Sequence, residues 1–303
     1  MMVRCLVTGI LAAGFWGWLP ERAAAQTADQ RPAQQIAIWQ GRAPLGDGRF
    51  ADEDASISIY LPEKPDGTAV VICPGGGYSQ VVTEPEGHGI ARWLSRHGIA
   101  GVVLEYRLPH GRSLVPLLDA QRAIRTVRAN ARDWKLDPGR IGIMGFSAGG
   151  HLASTAETHF VEGNRDDPDP VSRVSSRPDF MILIYPVISL GEHAHQGSRS
   201  NLLGDNPTPE VTQWFSSETQ VTPRTPPAFL AHAVDDRPVP PIHSRLFRDA
   251  MIHAGVPVKL LELPSGGHGL DGYQGPMWQL WQEQSLAWLA DLRLRPAAEN
   301  TRR

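Results

Sequence analysis

The 303-residue sequence predicts an α/β fold built on a mostly parallel, doubly wound sheet with helices on both faces. Three observations predict it. Seven short apolar runs alternate with amphipathic stretches, the rhythm of βα units. Most of these runs are near-continuous Val, Ile and Leu, as strands covered on both faces require. One of them passes through a glycine-flanked serine directly into a helix-compatible stretch.

The elements follow in order. Met1-Met2-Val3-Arg4, an apolar stretch over 5–19 and Ala23-Ala24-Ala25 read as a basic leader, a hydrophobic segment and a small-residue cleavage site. Residues 1–25 are therefore predicted to be a signal peptide, the apolar part being too short and Gly-rich for a membrane span. This predicts an exported protein, periplasmic or secreted, with no stable membrane insertion after cleavage. Residues 26–50, polar and rich in Gln, Ala and Pro, read as a flexible leader, and 51–295 as the folded domain.

Within that domain strands are expected at 56–61, 69–73, 99–106, 141–144, 180–185, 228–233 and 258–263. Helices are expected at 89–96, 114–133, 148–157, 241–254 and 277–292. In the last, Trp278, Trp281, Leu286, Trp288, Leu289 and Leu292 recur at helical spacing and read as the core face of a closing helix. Residues 187–227, with His193, His195, several prolines and scattered Gly and Ser, break the rhythm. An excursion of that length predicts a lid-like insertion near the site.

Of the two cysteines, Cys5 falls in the predicted signal and Cys73 in an apolar strand, so a hydrophobic core, not a disulfide, must hold the domain together. The formal charge is −3, or −4 without Arg4, Glu21 and Arg22, and no basic stripe is present to bind nucleic acid.

The chemistry centres on Gly145-Phe146-Ser147-Ala148-Gly149. A serine at a sharp strand-to-helix turn adopts a strained backbone, so its neighbours two positions away must be small. A serine hydroxyl is a weak nucleophile and needs an imidazole oriented by a carboxylate. In a doubly wound sheet those partners come from loops at the carboxyl ends of later strands. Asp235-Asp236 follows the run 228–233, and Gly266-Gly267-His268-Gly269 follows the run 258–263, giving the chain order Ser, Asp, His. His268 is the candidate base. Asp235 and Asp236 are both candidates for the acid, the other bracing the loop. Gly75-Gly76-Gly77 after the run 69–73 lets backbone N–H groups of Gly76 and Gly77 approach a substrate oxygen, and the N–H of Ala148 completes a candidate oxyanion hole. The loop lacks the lysine of a phosphate-binding G-x-x-x-x-G-K-[ST]. His193-x-His195 is accompanied by no HExxH or CxxC, so neither a metal nor another cofactor is expected.

Taken together, Pro74-Gly75-Gly76-Gly77-Tyr78, Glu105-Tyr106-Arg107-Leu108, Asp119-Ala120-Gln121-Arg122, the elbow through Ala153, Asn201-Leu202-Leu203-Gly204, and His232 to Pro240 with Gly267-His268-Gly269 carry a family resemblance over roughly residues 55–290. They resemble α/β-hydrolase esterases related to bacterial acetylxylan and feruloyl esterases and to hormone-sensitive-lipase-like enzymes. The family pattern has the acid four residues before a proline and four after a histidine, which here implies Asp236, between His232 and Pro240. Lipase-like relatives carry a histidine where this chain has Pro74, a departure that favours the carbohydrate-esterase branch. The resemblance implies a cofactor-free serine carboxylesterase acting through an acyl-enzyme on short acyl esters, such as acetyl groups on xylan. A lipase-like esterase, a serine peptidase of the same fold and a non-catalytic binding protein are the alternatives. Tyr78 and Trp214 offer rings either for a sugar or for simple packing. The oligomeric state is left open.

Overall fold

Residues 32–46 and 55–294 are described in the computed structural model; the predicted signal peptide lies outside them. The strands are β1 (Gln34–Ala37), β2 (Ser56–Tyr60), β3 (Ala69–Cys73), β4 (Ala100–Glu105), β5 (Ile141–Phe146), β6 (Met181–Ile184), β7 (Ala228–Ala233) and β8 (Val258–Leu263). They form one sheet in the order β1-β2-β4-β3-β5-β6-β7-β8. β1 pairs antiparallel with β2, and β2 with β4; every later pairing is parallel.

Apolar strands without alternation require cover on both sides, and helices supply it. α1 (Gly89–Arg96) buries Ile90, Ala91 and Leu94 on one face, beside Trp281, Trp288 and Leu289 of the closing helix. The other face packs Ile124 and Val127 of α2 (Leu114–Ala129), Leu152 and Ala156 of α3 (Ser147–Thr158) and Phe247 of a later helix. Further helices are α4 (Gln196–Leu203), α5 (Pro209–Trp214), α6 (Ile242–His253) and α7 (Gly275–Asp291), beside shorter turns such as Leu270–Tyr273. Trp278 and Trp281 of α7 pack against Phe146, directly beneath the serine. This is an α/β-hydrolase fold.

The structure corrects the expected leader. Residues 34–37, inside the stretch read as flexible, form β1, paired from Gln34↔Ile59 to Ala37↔Ser56. Four residues, two polar and then two apolar, carry no periodic signal; a long-range ladder makes them a strand. Trp39 then donates its indole N–H to Asp119 Oδ1 at 2.7 Å. Asp119 is itself bound by Arg107 in a buried fork, with Nη2 to Oδ1 at 2.7 Å and Nε to Oδ2 at 2.9 Å. Two of the family-like motifs thus meet in one ion pair that fastens the segment just after β1. The expected helix 114–133 stops at Ala129, where Asn130 Nδ2 donates to the Thr126 carbonyl. The excursion 187–227 carries α4, α5 and a short 3₁₀ turn, Ser217–Thr219.

Candidate active site

β5 ends at Phe146 and α3 begins at Ser147 with no intervening loop. That abrupt turn puts Ser147 at φ 52°, a left-handed conformation costing a non-glycine residue roughly 1–2 kcal/mol. The neighbours must then lie very close. A Cβ on Gly145 would overlap the Gly149 carbonyl, and one on Gly149 would overlap the Cys73 and Pro74 carbonyls. The two glycines are therefore a packing requirement of the serine turn.

His268 comes from the loop after β8 and approaches Ser147 from the far side. Its Nε2 lies 2.9 Å from Ser147 Oγ and its Nδ1 lies 2.7 Å from Asp236 Oδ2. A carboxylate only accepts, so Nδ1 carries the proton, and the lone pair of Nε2 accepts from the serine hydroxyl. The loop after β7 supplies Asp236, 3% exposed, whose other oxygen accepts the Val239 N–H at 3.0 Å. Burial opposes its charge, but hydrogen bonds from His232, His268 and Val239 outweigh it and hold the carboxyl at about 2. Asp235 faces elsewhere: its Oδ1 accepts the Gly267 N–H at 2.9 Å and so braces the histidine loop.

The glycine loop after β3 is held by its carbonyls. Gly75 O accepts from Val82 N–H at 3.0 Å, Gly76 O from Ser79 and Gln80 N–H at 3.1 and 3.2 Å, and Gly77 O from Asn201 Nδ2 at 2.8 Å. A trans peptide points its N–H opposite to its carbonyl, so each of these bonds also aims the next N–H in the chain. Among the described residues, the N–H groups of Gly76 and Gly77 have no internal acceptor. Ala148, in the first turn of α3, presents an N–H that no intrahelical bond can use. Gly75 abuts the elbow, where a Cβ would lie 3.0 Å from that of Ser147.

Of the two rings considered for a sugar, Tyr78 is 2% exposed and donates its hydroxyl to His151 Nδ1 at 2.8 Å, so it is a packing residue. Trp214 is exposed and stacks on His159 with ring centroids 3.7 Å apart. His195, from the paired histidines of the excursion, caps α4 by accepting the Ser198 N–H. No group of His, Cys, Asp and Glu that could hold a metal occurs among the described residues.

Sequence reasoning missed Glu86, Tyr185 and the support given by His232. His232 donates from Nε2 to Val239 O at 2.8 Å and lies 3.3 Å from Asp236. It reads in sequence as an ordinary residue of an apolar strand. Only its spacing to Asp236, i to i+4 across the strand end, carries a signal.

Fold and site define the class, an α/β-hydrolase with a serine at the nucleophile elbow. The family model described as BD-FAE matches residues 57–251, a span that includes Ser147 and Asp236 and stops before His268. The chain is 40% identical over 223 residues to an acetylxylan esterase of Xylanibacter ruminicola, covering 72% of this chain and 44% of that protein. It is 37% identical over 205 residues to endo-1,4-beta-xylanase B of Butyrivibrio fibrisolvens, covering 66% of this chain and 32% of that one. The chain thus spans less than half the length of these two relatives. Among solved structures, an acetyl ester-xyloside bifunctional hydrolase from Caldicellulosiruptor lactoaceticus superposes with a TM-score of 0.82 at 40% identity, over 88% of this chain and 98% of the other. A carboxylesterase from Lactobacillus plantarum gives 0.70 at 25% identity, over 87% and 98%. The chain belongs to the BD-FAE family.

Proposed function

We propose that this protein is an exported serine esterase that removes short acyl groups, acetyl above all, from an acylated carbohydrate such as xylan. The observation that carries the mechanism is the single imidazole of His268, placed 2.9 Å from Ser147 Oγ and 2.7 Å from Asp236. Ser147 Oγ attacks the ester carbonyl as its proton passes to Nε2. The oxygen that gains charge accepts from the N–H groups of Gly76, Gly77 and Ala148. The imidazolium is held by Asp236, ionised at any working pH because its carboxyl sits at about 2. It then protonates the departing alcohol, and the same nitrogen next takes a proton from the water that releases the acyl group. No step calls for a metal or cofactor.

The carbohydrate reading is supported by the acetylxylan esterase and xylanase relatives and by the acetyl ester-xyloside hydrolase neighbour. The excursion 187–227 serves here as a wall beside the oxyanion loop, a role supported by the Asn201 bond to Gly77. Export is supported by the composition of residues 1–25, and no described helix is long and apolar enough to cross a membrane. The test compares kcat/KM for p-nitrophenyl acetate, butyrate and octanoate and measures acetate release from acetylated xylan. A preference for acetate with release from the polysaccharide is expected. A clear rise toward octanoate with no release would make this a lipase-like esterase.

A further inference from the structure

A buried carboxyl lies beneath the site, and none of the steps above uses it. Glu86 is 3% exposed and stands on a single turn of π-helix, Glu84–His88. The turn is closed by the His88 N–H to Thr83 O at 2.7 Å and the Gly89 N–H to Glu84 O, each spanning five residues. Such turns are rare and recur where a side chain must be aimed at a site. Glu86 Oε2 accepts the Gly75 N–H at 2.6 Å and Oε1 accepts the Tyr185 hydroxyl at 3.0 Å. Burial raises its pKa; the Gly75 and Tyr185 donors, the nearby His268 and the Tyr273 hydroxyl draw it back down.

Its two main partners belong to different halves of the site. The peptide between Pro74 and Gly75 opens the oxyanion loop, and it is gripped at both ends. Its carbonyl accepts from Tyr106 Oη at 2.8 Å, and its N–H is the group that Glu86 holds. A glycine peptide held at both ends cannot flip, so the loop that carries Gly76 and Gly77 starts from a fixed plane. Tyr185, on the other side, packs its ring 4.8 Å from that of His268. Its backbone sits at φ 38°, an outlier for an aromatic residue that persists only where the surroundings hold it. The hydroxyl bond to Glu86 is one of those holds.

An apolar side chain would fill the same space but leave the Gly75 N–H and the Tyr185 hydroxyl buried without an acceptor. We propose that Glu86 is a positioning residue whose single carboxyl ties the oxyanion loop to the tyrosine packed on the general base, keeping the two halves of the site in register. The inference rests on the esterase reading of this site.

The test uses the full chain and two conservative variants. Glu86→Asp keeps the carboxyl but withdraws it by about 1.5 Å, out of simultaneous reach of both partners. Its kcat for p-nitrophenyl acetate is expected to fall at least ~10-fold with KM within about twofold, because the loss lies in the transition state. Affinity for a trifluoromethyl ketone that mimics the tetrahedral intermediate is expected to fall by the same factor as kcat/KM. Glu86→Gln keeps the reach and both ties, its amide oxygen accepting the Gly75 N–H and its amide N–H donating to the Tyr185 oxygen, and is expected to hold kcat within about threefold of wild type. A folded Glu86→Asp with kcat within twofold of wild type, or with lost turnover and undiminished inhibitor affinity, would overturn the proposal. So would a folded Glu86→Gln that loses ~10-fold, an outcome readable even where the aspartate variant does not fold. Wild-type protein that turns over no ester would sink the esterase reading itself. An active wild type with an indifferent Glu86→Asp would sink only this inference.

Discussion

Asp236 and His268 share a hydrogen bond of 2.7 Å, whereas Asp235, one position earlier, accepts the backbone N–H of Gly267 at 2.9 Å. Adjacent carboxylates thus hold the ring and the backbone of the same loop. Asp236→Asn is expected to lower kcat by about 10³–10⁴-fold through the wrong imidazole tautomer, with little change in fold. Asp235→Asn is expected to cost less than about tenfold and to appear mainly as a lower thermal midpoint. Steady-state kinetics on both purified variants decide, and the reverse ranking would move the acid to Asp235.

Ser147→Ala removes the proposed nucleophile while leaving the turn, since Gly145 and Gly149 still provide its space. Hydrolysis is expected to fall by ~10³-fold or more, with an unchanged circular dichroism spectrum and no labelling by a fluorophosphonate probe. Near-wild-type turnover would refute the mechanism.

The glycines of the oxyanion loop differ in what they tolerate. A Cβ on Gly76 would overlap the Gln80 carbonyl, whereas Gly77, at φ 65°, has only Ser79 Oγ nearby, at 3.9 Å. Gly76→Ala is therefore expected to displace the loop and cost on the order of 10²-fold in kcat. Gly77→Ala meets only the left-handed backbone penalty of roughly 1–2 kcal/mol and is expected to lose stability more than turnover. Equal kinetic losses in the two variants would place the donors elsewhere.

Two buried histidines make the fold sensitive to acid. Burial lowers both His151 and His243 to about 4, against an ordinary value of 6.5. His243 Nδ1 accepts the N–H groups of Ile188 and Ser189 at 3.0 and 3.1 Å, so a proton there breaks both bonds, whereas a proton on His151 Nδ1 forces the Tyr78 hydroxyl to turn from donor to acceptor. With the folded pKa depressed, the unfolded chain binds more protons between these values. Stability is thus complete above about pH 6.5 and declines as the pH falls toward about 4. Urea midpoints measured across this window are expected to drop, and His243→Asn to flatten the slope. A flat profile would contradict burial of the neutral forms.

Ser147 and His268 were legible because each sits in a local pattern, glycines around a turn after an apolar run. Asp236 needed a second pattern, the spacing from His232 to Pro240, because two neighbouring acids look alike until a fold aims them. β1 was not legible, since its four residues become a strand only through pairing with residues more than 18 positions away. Glu86 lies in a polar stretch, Thr83-Glu84-Pro85-Glu86, that reads as solvent-facing. Its burial follows from the π-turn and from packing of Gly87 on Val103, neither of which leaves a periodic trace.

The order of the strands separates the parts of the site unevenly. Ser147 and the glycine loop follow β5 and β3, in the middle of the sheet, whereas His268 follows β8, which among the described residues is an edge strand with a single neighbour and mostly half-buried residues. Edge elements open at lower free energy than central ones. His268 can therefore fray away from an intact Ser147 turn, and under the proposed mechanism mild heat or denaturant should silence turnover before bulk spectroscopic signals change. Turnover by the proposed triad would then be a gauge of the molecule's periphery.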